Sequence, residues 1–320
     1  MRALCLLVLL VLPACDDFAV FSASATLPDA GTVPDLTTVS GSGDAGGADL
    51  ATRRWEQQAS GITQDLNAVW GSGPDDVWAV GAGGVVLRRQ GQGPWTPVST
   101  GAKETLLSVW GSAGDVWMAG DLGQTVRMAM QPVTSYLKEG NRLYAGSGSL
   151  LVGANSSIYR LSGQMWTWDP YVGAFDFHGV WSGPSDGWAV GARGLVVHLT
   201  GSMLPEASGT ANLLHAVWSD GKGAAVAVGD KGTIIRRGNG GVWARVANAD
   251  SRDLRAVHGA GTMQMWAAGA GGTVVESKDG GLTWKTQANV PDKQLNGVWA
   301  SAVDDIYLVG AGGLILHYGR

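Results

Sequence analysis

The side chains with the clearest capacity for chemistry recur at one position of an internal pattern. Three residues before a repeated aromatic or histidine marker, six of seven positions are polar, and Leu107 is the exception. The polar residues are Asn67, Asn141, His178, His215, Arg255 and Asn296. Amide, imidazole and guanidinium groups that converge on one point can hold a polar or anionic group through hydrogen bonds. The alternative is structural, because the same groups can satisfy backbone amides of neighbouring repeats.

A second set of candidate binding residues lies in glycine-containing turns and in one long loop. The turn residues are Asp121, Arg193, Asp230 and Lys231, and Tyr171 belongs to the loop of residues 169–176. In an up-and-down sheet of four strands, the loop entering the first strand and the turn between the second and third strands lie at the same edge. We therefore expect these residues to share one face with the six polar positions.

The sequence lacks the residue sets that are typical of catalysis or metal binding. It contains no Gly-x-Ser-x-Gly, phosphate-binding loop, His-Glu-x-x-His or clustered Cys/His motif. His178 and His215 have no evident third ligand for a metal. The acidic pairs at 75–76 and 304–305 fit turns, where aspartate is common. We expect neither a metal nor a cofactor, and the pattern favours binding over catalysis, with an enzyme as the alternative.

An internal repeat provides the scaffold for these positions. The phrase that begins LNAVWGSGPDDVWAVGAGG at Leu66 occurs in six clear copies, and a degenerate seventh copy lies between the second and the third. The markers of the seven copies are Trp70, Trp110, Tyr144, Trp181, Trp218, His258 and Trp299. Their period of roughly 40 residues is typical of one four-stranded propeller blade. The sequence therefore predicts an all-β fold, a seven-bladed β-propeller.

The two ends of the repeated region predict how the ring closes. The chain ends after a third strand, residues 314–318, and the repeated region opens with an isolated fourth strand, residues 53–57. Pairing of these strands would complete the seventh blade and remove both open edges of the ring. We therefore assign residues 53–320 to the propeller. Its tryptophans are predicted to pack between blades, except one of Trp166 and Trp168, which is surplus to the repeat.

One repeat carries an additional motif in the segment SKDGGLTW. Its marker residues are Ser277, Asp279, Gly281, Thr283 and Trp284. This motif resembles the Asp-box, or BNR repeat, of sialidase-like propellers and of photosystem-assembly-factor-like bacterial proteins. The resemblance implies a structural hairpin between the third and fourth strands, and it adds two alternatives, a glycan-active hydrolase and an assembly factor. The arginine triad and the Arg-Ile-Pro motif of sialidases cannot be mapped onto this sequence.

The N-terminus has the features of an export signal. Met1–Arg2 precede an apolar run, Ala3–Leu12, which is shorter than the roughly 20 residues that span a bilayer. The sequence LPAC resembles a bacterial lipobox, which implies a signal peptide of residues 1–14 and a lipid on Cys15, with simple secretion as the alternative. Residues 15–52 are predicted to form a flexible tether because they are mostly small and polar. Since Cys5 lies in the signal peptide, no cysteine pair remains for a disulfide.

Charge and anchoring together limit the expected partners. The net charge of -5, with no local cluster of Lys and Arg, argues against a nucleic acid partner. We expect an exported monomer, held by its lipid at a membrane of the cell envelope, that engages a protein or a glycan. The tether is predicted to join the propeller on the face opposite to the polar positions, which would then point away from the membrane.

Overall fold

In the computed structural model, the chain forms seven four-stranded antiparallel sheets, each of which is one blade. The structure describes residues 54–319, apart from residues 130, 138, 139, 170, 172, 185, 200, 201, 239 and 249. The predicted signal peptide, Cys15 and the tether lie outside the described residues. Innermost strands of neighbouring blades contact each other all around the ring. The prediction of a seven-bladed β-propeller is therefore confirmed.

The first strand of the described residues, β1 (Trp55–Gln58), is the outer strand of the last blade. The other strands follow chain order from the innermost strand outward. Blade 1 consists of β2 (Leu66–Gly73), β3 (Asp76–Gly81), β4 (Val86–Gln90) and β5 (Thr96–Pro97). Blade 2 consists of β6 (Leu106–Ser112), β7 (Asp115–Gly120), β8 (Gln124–Met128) and β9 (Pro132–Tyr136). Blade 3 consists of β10 (Leu143–Ser147), β11 (Leu150–Gly153), β12 (Ile158–Ser162) and β13 (Met165–Trp168). Blade 4 consists of β14 (Phe177–Ser182), β15 (Gly187–Gly191), β16 (Val196–Leu199) and β17 (Met203–Glu206). Blade 5 consists of β18 (Leu214–Ser219), β19 (Ala225–Gly229), β20 (Thr233–Arg237) and β21 (Trp243–Arg245). Blade 6 consists of β22 (Leu254–Ala260), β23 (Gln264–Gly269), β24 (Val274–Ser277) and β25 (Lys285–Thr286). Blade 7 is β26 (Leu295–Ala302), β27 (Asp305–Gly310), β28 (Ile315–Tyr318) and β1.

The ring closes by pairing of its first and last strands, as predicted. β1 runs antiparallel to β28, with Trp55 opposite Tyr318 and Gln58 opposite Ile315. The rings of Trp55 and Tyr318 lie 5.3 Å apart, and the Gln58 side chain accepts a hydrogen bond of 2.7 Å from the indole N–H of Trp95 in blade 1. Because β1 supplies the fourth strand of the last blade, β28 is left with no open edge at the closure.

Tryptophan side chains fill the spaces between blades. The Trp188 ring is fully buried and meets Trp243 of the next blade edge-on, with centroids 5.5 Å apart. Trp166 contacts Trp110 and Trp117 of the preceding blade, whereas Trp168 is 48% exposed. Burying large rings removes apolar area from water and supplies much of the stability of such a fold. Of Trp166 and Trp168, it is Trp168 that lies outside the core.

Six blades share one turn between the second and third strands. These turns are Ala82–Gly84, Asp121–Gly123, Ala192–Gly194, Asp230–Gly232, Ala270–Gly272 and Ala311–Gly313. The last two residues of each turn have positive φ, for example 65° at Gly83 and 75° at Gly84. A Cβ on Gly84 would lie 2.4 Å from the carbonyl oxygen of Ala102, whereas one on Gly83 would meet open space. The second of the two positions is accordingly glycine in all six turns, and the first also accepts other residues.

The starts of the innermost strands and these turns lie on one face, which we call the mouth face. Leu66 at the start of β2 pairs with Gly81 just before the turn, and the equivalent pair occurs in every blade. The predicted shared edge is therefore confirmed. β1 begins at the opposite face, because Trp55 pairs with the last residue of β28. Among the described residues, no helix is long and apolar enough to cross a membrane.

Candidate functional site

A cavity of about 410 Å³ opens at the centre of the mouth face. It is lined by Asn67, Leu107, Arg142, Tyr144, His178, His215, Arg255 and Asn296. Each inner strand contributes the second residue of the strand, and Arg142 comes from the loop before β10. Below this level lies a channel of about 200 Å³, whose further lining residues are mainly alanine, glycine and valine. Polar side chains are therefore concentrated at the mouth, above a channel whose side chains are mainly small and apolar.

The alignment of Asn141 with the polar ring is wrong. β10 begins at Leu143, which pairs with Gly153, so that Tyr144 occupies the position equivalent to Asn67. The degenerate repeat has a shorter first hairpin, and this displaced the sequence alignment by three residues. Asn141 lies before the strand and bonds to Ser157 and Asn155 at 2.7 and 2.9 Å. Tyr144 is thus the lining residue that the sequence analysis missed.

Two of the predicted asparagines hold neighbouring blades together. The amide group of Asn67 donates to the carbonyl oxygen of Leu106 in blade 2 at 2.8 Å. Asn296 donates in the same way to Leu66 in blade 1, at 2.9 Å. Side-chain hydrogen bonds of this kind satisfy inner-strand carbonyls that would otherwise face the channel. Between blades 7, 1 and 2, the polar side chains at the mouth therefore stabilise the contacts between neighbouring blades.

On the other side of the mouth, aromatic and imidazole rings are stacked. His178 lies 4.2 Å from the Tyr144 ring at an interplanar angle of 22°, and it meets the His215 ring edge-on at 5.8 Å. Burial, with a smaller contribution from His215, lowers the pKa of His178 to about 4. His215 is held by a contact of 2.7 Å between its Nε2 and Asp230. At neutral pH His178 is therefore uncharged, and each of its ring nitrogens can act only as one donor or one acceptor.

Arg142 and Arg255 differ in how their charge is compensated. Arg142 forms an ion pair of 2.6 Å with Asp121 in the turn of blade 2, and its guanidinium lies 5.5 Å from the Tyr144 ring centroid. Arg255 is exposed and has neither a hydrogen bond nor an ion pair with any part of the chain that the structure describes. Arg255 therefore supplies an uncompensated positive charge at the mouth.

The remaining predicted residues surround this cavity without lining it. Asp121 and Asp230 are the carboxylates that pair with Arg142 and His215, and Arg193 and Lys231 occupy the first positive-φ position of their turns. Tyr171 packs edge-on against Phe177 at 5.6 Å. The loop of Tyr171 is fixed by the buried Ser156 hydroxyl, which donates to the carbonyl oxygen of Gly173 at 2.8 Å. Tyr171 therefore stabilises the loop beside the mouth.

The SKDGGLTW segment forms a compact hydrogen-bonded hairpin between β24 and β25. The Asp279 carboxylate accepts hydrogen bonds from the Ser277 hydroxyl, from the Thr283 N–H and hydroxyl, and from the Leu282 N–H. Burial raises its pKa, but these hydrogen bonds outweigh burial and lower the pKa to about 2. The Trp284 indole N–H donates to the carbonyl oxygen of Gly281 at 3.2 Å. All five motif residues thus serve the local geometry, away from the mouth cavity.

Four blades share a contact between an aspartate and an arginine or histidine that the sequence analysis did not predict. In blade 1, Asp76 at the start of β3 bonds to Arg88 in β4 at 2.7 Å, and the guanidinium of Arg88 lies over the Trp78 ring. The equivalent pairs are Asp115 with Arg127, Asp186 with His198, and Asp305 with His317. The separation between acid and base along the chain is the same in all four pairs, and this constant spacing was the available signal. Asp76 and Asp305 therefore stabilise their blades through these contacts, in addition to any part they have in the turns.

No carboxylate side chain lines the mouth cavity in the part of the chain that the structure describes. None of the eight residues lining the cavity is Asp or Glu. Across residues 54–319, with the gaps given above, no cluster of three or more His, Cys, Asp or Glu side chains is arranged to hold a metal ion. The described residues at the mouth can form hydrogen bonds, stack against aromatic rings and present the uncompensated guanidinium of Arg255.

Comparisons with known proteins show the fold of the chain. No protein-family model matches the sequence, and no curated protein matches it either. Among solved structures, YCF48 bound to D1 peptide is similar with a TM-score of 0.69 and 18% identity, over 83% of this chain and 95% of that one. YCF48 from Cyanidioschyzon merolae gives 0.67 and 18%, over 83% and 98%, and a streptogramin B lyase gives 0.71 and 12%, over 83% and 98%. At these identities the similarity is one of architecture, and the chain is a seven-bladed β-propeller.

Proposed function

We propose that this propeller is a non-enzymatic binding protein whose mouth holds an anionic group of a protein partner. The observation that carries the proposal is the uncompensated guanidinium of Arg255 beside a cavity of about 410 Å³. Because Asn67 and Asn296 are occupied by inner-strand carbonyls, binding is assigned to blades 3 to 6. There Arg255, His215, His178 and Tyr144 form a continuous arc of polar and aromatic groups.

A protein partner is favoured over a glycan by one comparison. A similar propeller structure contains a bound peptide, which supports the idea that this architecture can present a peptide site. A role in the assembly of an envelope complex is a specific form of the same proposal. A glycan-active hydrolase of the usual kind would need two carboxylates roughly 5 to 10 Å apart in the cavity, and no residue that lines the described mouth cavity carries a carboxylate. We use the resemblance of SKDGGLTW to an Asp-box only as an indication of a structural hairpin, and it contributes nothing to the choice of function.

Replacing Arg255 by alanine is expected to weaken peptide binding at the mouth. The test is selection of phage-displayed random peptides on the wild-type protein, followed by affinity measurement for the enriched peptides. We expect enrichment of Asp and Glu, and a loss of about tenfold or more for Arg255→Ala, because arginines at binding sites often dominate affinity. Arg245→Ala is the matched control, since Arg245 is exposed on β21 and its loss removes the same charge elsewhere.

Two outcomes would overturn this function. Peptides whose affinity falls equally in both arginine variants would place binding outside the mouth. Failure to enrich any peptide, together with binding of the wild-type protein to a glycan array that is lost in Arg255→Ala, would reassign the mouth to a glycan.

We also propose that the protein is exported and anchored in the cell envelope by lipid on Cys15. The support is the sequence pattern of residues 1–15 and the position of β1, which begins on the face opposite to the mouth. A tether entering there would leave the mouth free for a partner, whether the protein faces the periplasm or the cell surface.

Replacing Cys15 by serine is expected to release the protein from the membrane. The wild-type protein should incorporate labelled palmitate and sediment with membranes, whereas Cys15→Ser should do neither, because the thiol is the acceptor for the lipid. Cys5→Ser is the matched control and should behave as wild type. The anchor proposal is wrong if the wild-type protein takes up no label and Cys15→Ser still sediments with membranes.

A further inference from the structure

Three turns on the mouth face place side chains where the same turn elsewhere has glycine. At the first positive-φ position, blades 1, 6 and 7 have glycine, whereas blades 2, 4 and 5 have Leu122, Arg193 and Lys231 with φ of 55° to 57°. Residues other than Gly, Asn and Asp rarely adopt this conformation because Cβ approaches the following carbonyl oxygen. The fold itself does not require these side chains, since glycine builds the identical turn in the other blades.

These side chains form few contacts with the described part of the chain that could offset the strain of their backbone conformation. All three are exposed, and Leu122 is 59% exposed. The ammonium group of Lys231 has no carboxylate partner within the described residues, and Arg193 contacts the Phe175 ring only at 6.0 Å. Strained residues that are not explained by packing are often found at functional sites.

The turns of blades 4 and 5 lie directly beside the mouth. The backbone N–H of Lys231 donates at 2.9 Å to Asp253, two residues before Arg255. The turn of Arg193 packs against the segment that leads into β18 and His215: a Cβ on Gly194 would lie 2.0 Å from the carbonyl oxygen of Thr210. Around the face, the order is therefore Arg255, Lys231, His215 and Arg193.

Carboxylates near this arc are engaged by the scaffold, whereas the cationic groups are not. Asp230 bonds to His215 at 2.7 Å, and Asp253 accepts the Lys231 N–H. Asp176 accepts the backbone N–H of Asn155 at 2.9 Å. These three carboxylates are half-buried, whereas Arg193, Lys231 and Arg255 are exposed. The cationic groups are therefore the more accessible charges of this arc.

We infer that Arg193 and Lys231 extend the mouth into a cationic arc over blades 4 to 6 that binds an extended acidic segment of a protein. This inference rests on the proposed function and specifies the class of partner. One acidic side chain sits at Arg255, and further acidic side chains along the segment pair with Lys231 and Arg193. The contacts are exposed ion pairs, so they contribute modestly one by one, and their sum depends on salt concentration.

Fluorescence anisotropy with a labelled octaglutamate peptide tests the arc on the full chain. Arg193→Gly combined with Lys231→Gly restores the residue that the other turns use, so both substitutions preserve the fold. At about 50 mM salt we expect the double variant to bind about tenfold more weakly, with a shallower dependence of affinity on salt. Leu122→Gly is the matched control: it makes the same backbone change without loss of charge and should bind as wild type.

The outcomes separate this inference from the proposed function. The arc is wrong if the double variant retains wild-type affinity, if Leu122→Gly weakens binding equally, or if the wild-type protein binds octaglutamate no better than octaglutamine. In each of these cases the proposed function still stands if the peptides selected by display depend on Arg255. It fails with the arc only if that dependence is also absent.

Discussion

Replacing Gly84 by alanine is expected to lower the free energy of unfolding by about 3 kcal/mol or more, since two penalties add. The residue has a φ of 75°, which disfavours any Cβ. In addition, the new Cβ would lie 2.4 Å from the carbonyl oxygen of Ala102, and this backbone atom belongs to the neighbouring blade junction. The strain therefore cannot be relieved by rotating a side chain, and the turn or the junction must shift.

Gly83→Ala is the internal control, because alanine at position 83 also has an unfavourable positive φ but no clash with a neighbouring carbonyl oxygen. A Cβ on Gly83 would meet nothing within 4 Å, so the expected loss is about 1 kcal/mol, the cost of the left-handed conformation alone. Urea denaturation at constant m-value gives both numbers. Equal losses in the two variants would mean that the contact with Ala102 does not limit this turn.

Acidification from pH 6.5 to pH 4 is expected to destabilise the folded protein by up to about 3 kcal/mol through His258 alone. This histidine occupies the marker position at which five other blades carry tryptophan, and it packs between Trp218 and Trp299. Its Nδ1 accepts a hydrogen bond of 3.2 Å from the N–H of Ala300, which requires the neutral ring. Burial lowers its pKa to about 4. The unfolded chain then binds the proton more tightly, so the stabilisation is complete above pH 6.5 and is lost as the pH falls to 4.

The variant His258→Asn isolates this effect. Its side-chain oxygen can accept the same hydrogen bond from Ala300, but the group does not titrate in this range. We expect a lower stability at pH 7, because the ring is lost, and a shallower fall between pH 6.5 and 4 than in the wild-type protein. The remaining fall reports His178, whose pKa is also about 4, together with carboxyls whose pKa is lowered in the folded protein, such as Asp279. If thermal or urea unfolding shows the same pH slope in both proteins, His258 does not titrate as inferred.

The architecture was predictable from the sequence because the propeller is built from one repeated unit. The spacing of the markers gave the number of blades, and the unmatched strand at residues 53–57 predicted the closure that β1 and β28 form. Strand parity was enough to place the polar positions and the turns on one face. These conclusions depend only on the order and length of strands, which the pattern records directly.

The details of the site depended on features that the repeat does not encode. Asn141 was misplaced because the degenerate third repeat shortens one hairpin, and a period alone cannot locate a deletion within a blade. Nor could the pattern distinguish Asn67, which binds a neighbouring carbonyl, from Arg255, which has no partner in the described residues. Both stand at equivalent positions, and only the three-dimensional neighbours of each side chain decide its task.

The closure of blade 7 constrains when this protein can finish folding. Gln58 pairs with Ile315, so two strands of one sheet are separated by nearly the whole length of the propeller. During synthesis, β1 is made before the rest of the propeller and must wait, with one edge unsatisfied, until nearly the entire propeller has followed. Contacts of such long sequence separation form late and slowly. The ring therefore cannot close before the C-terminal strand β28 has been made.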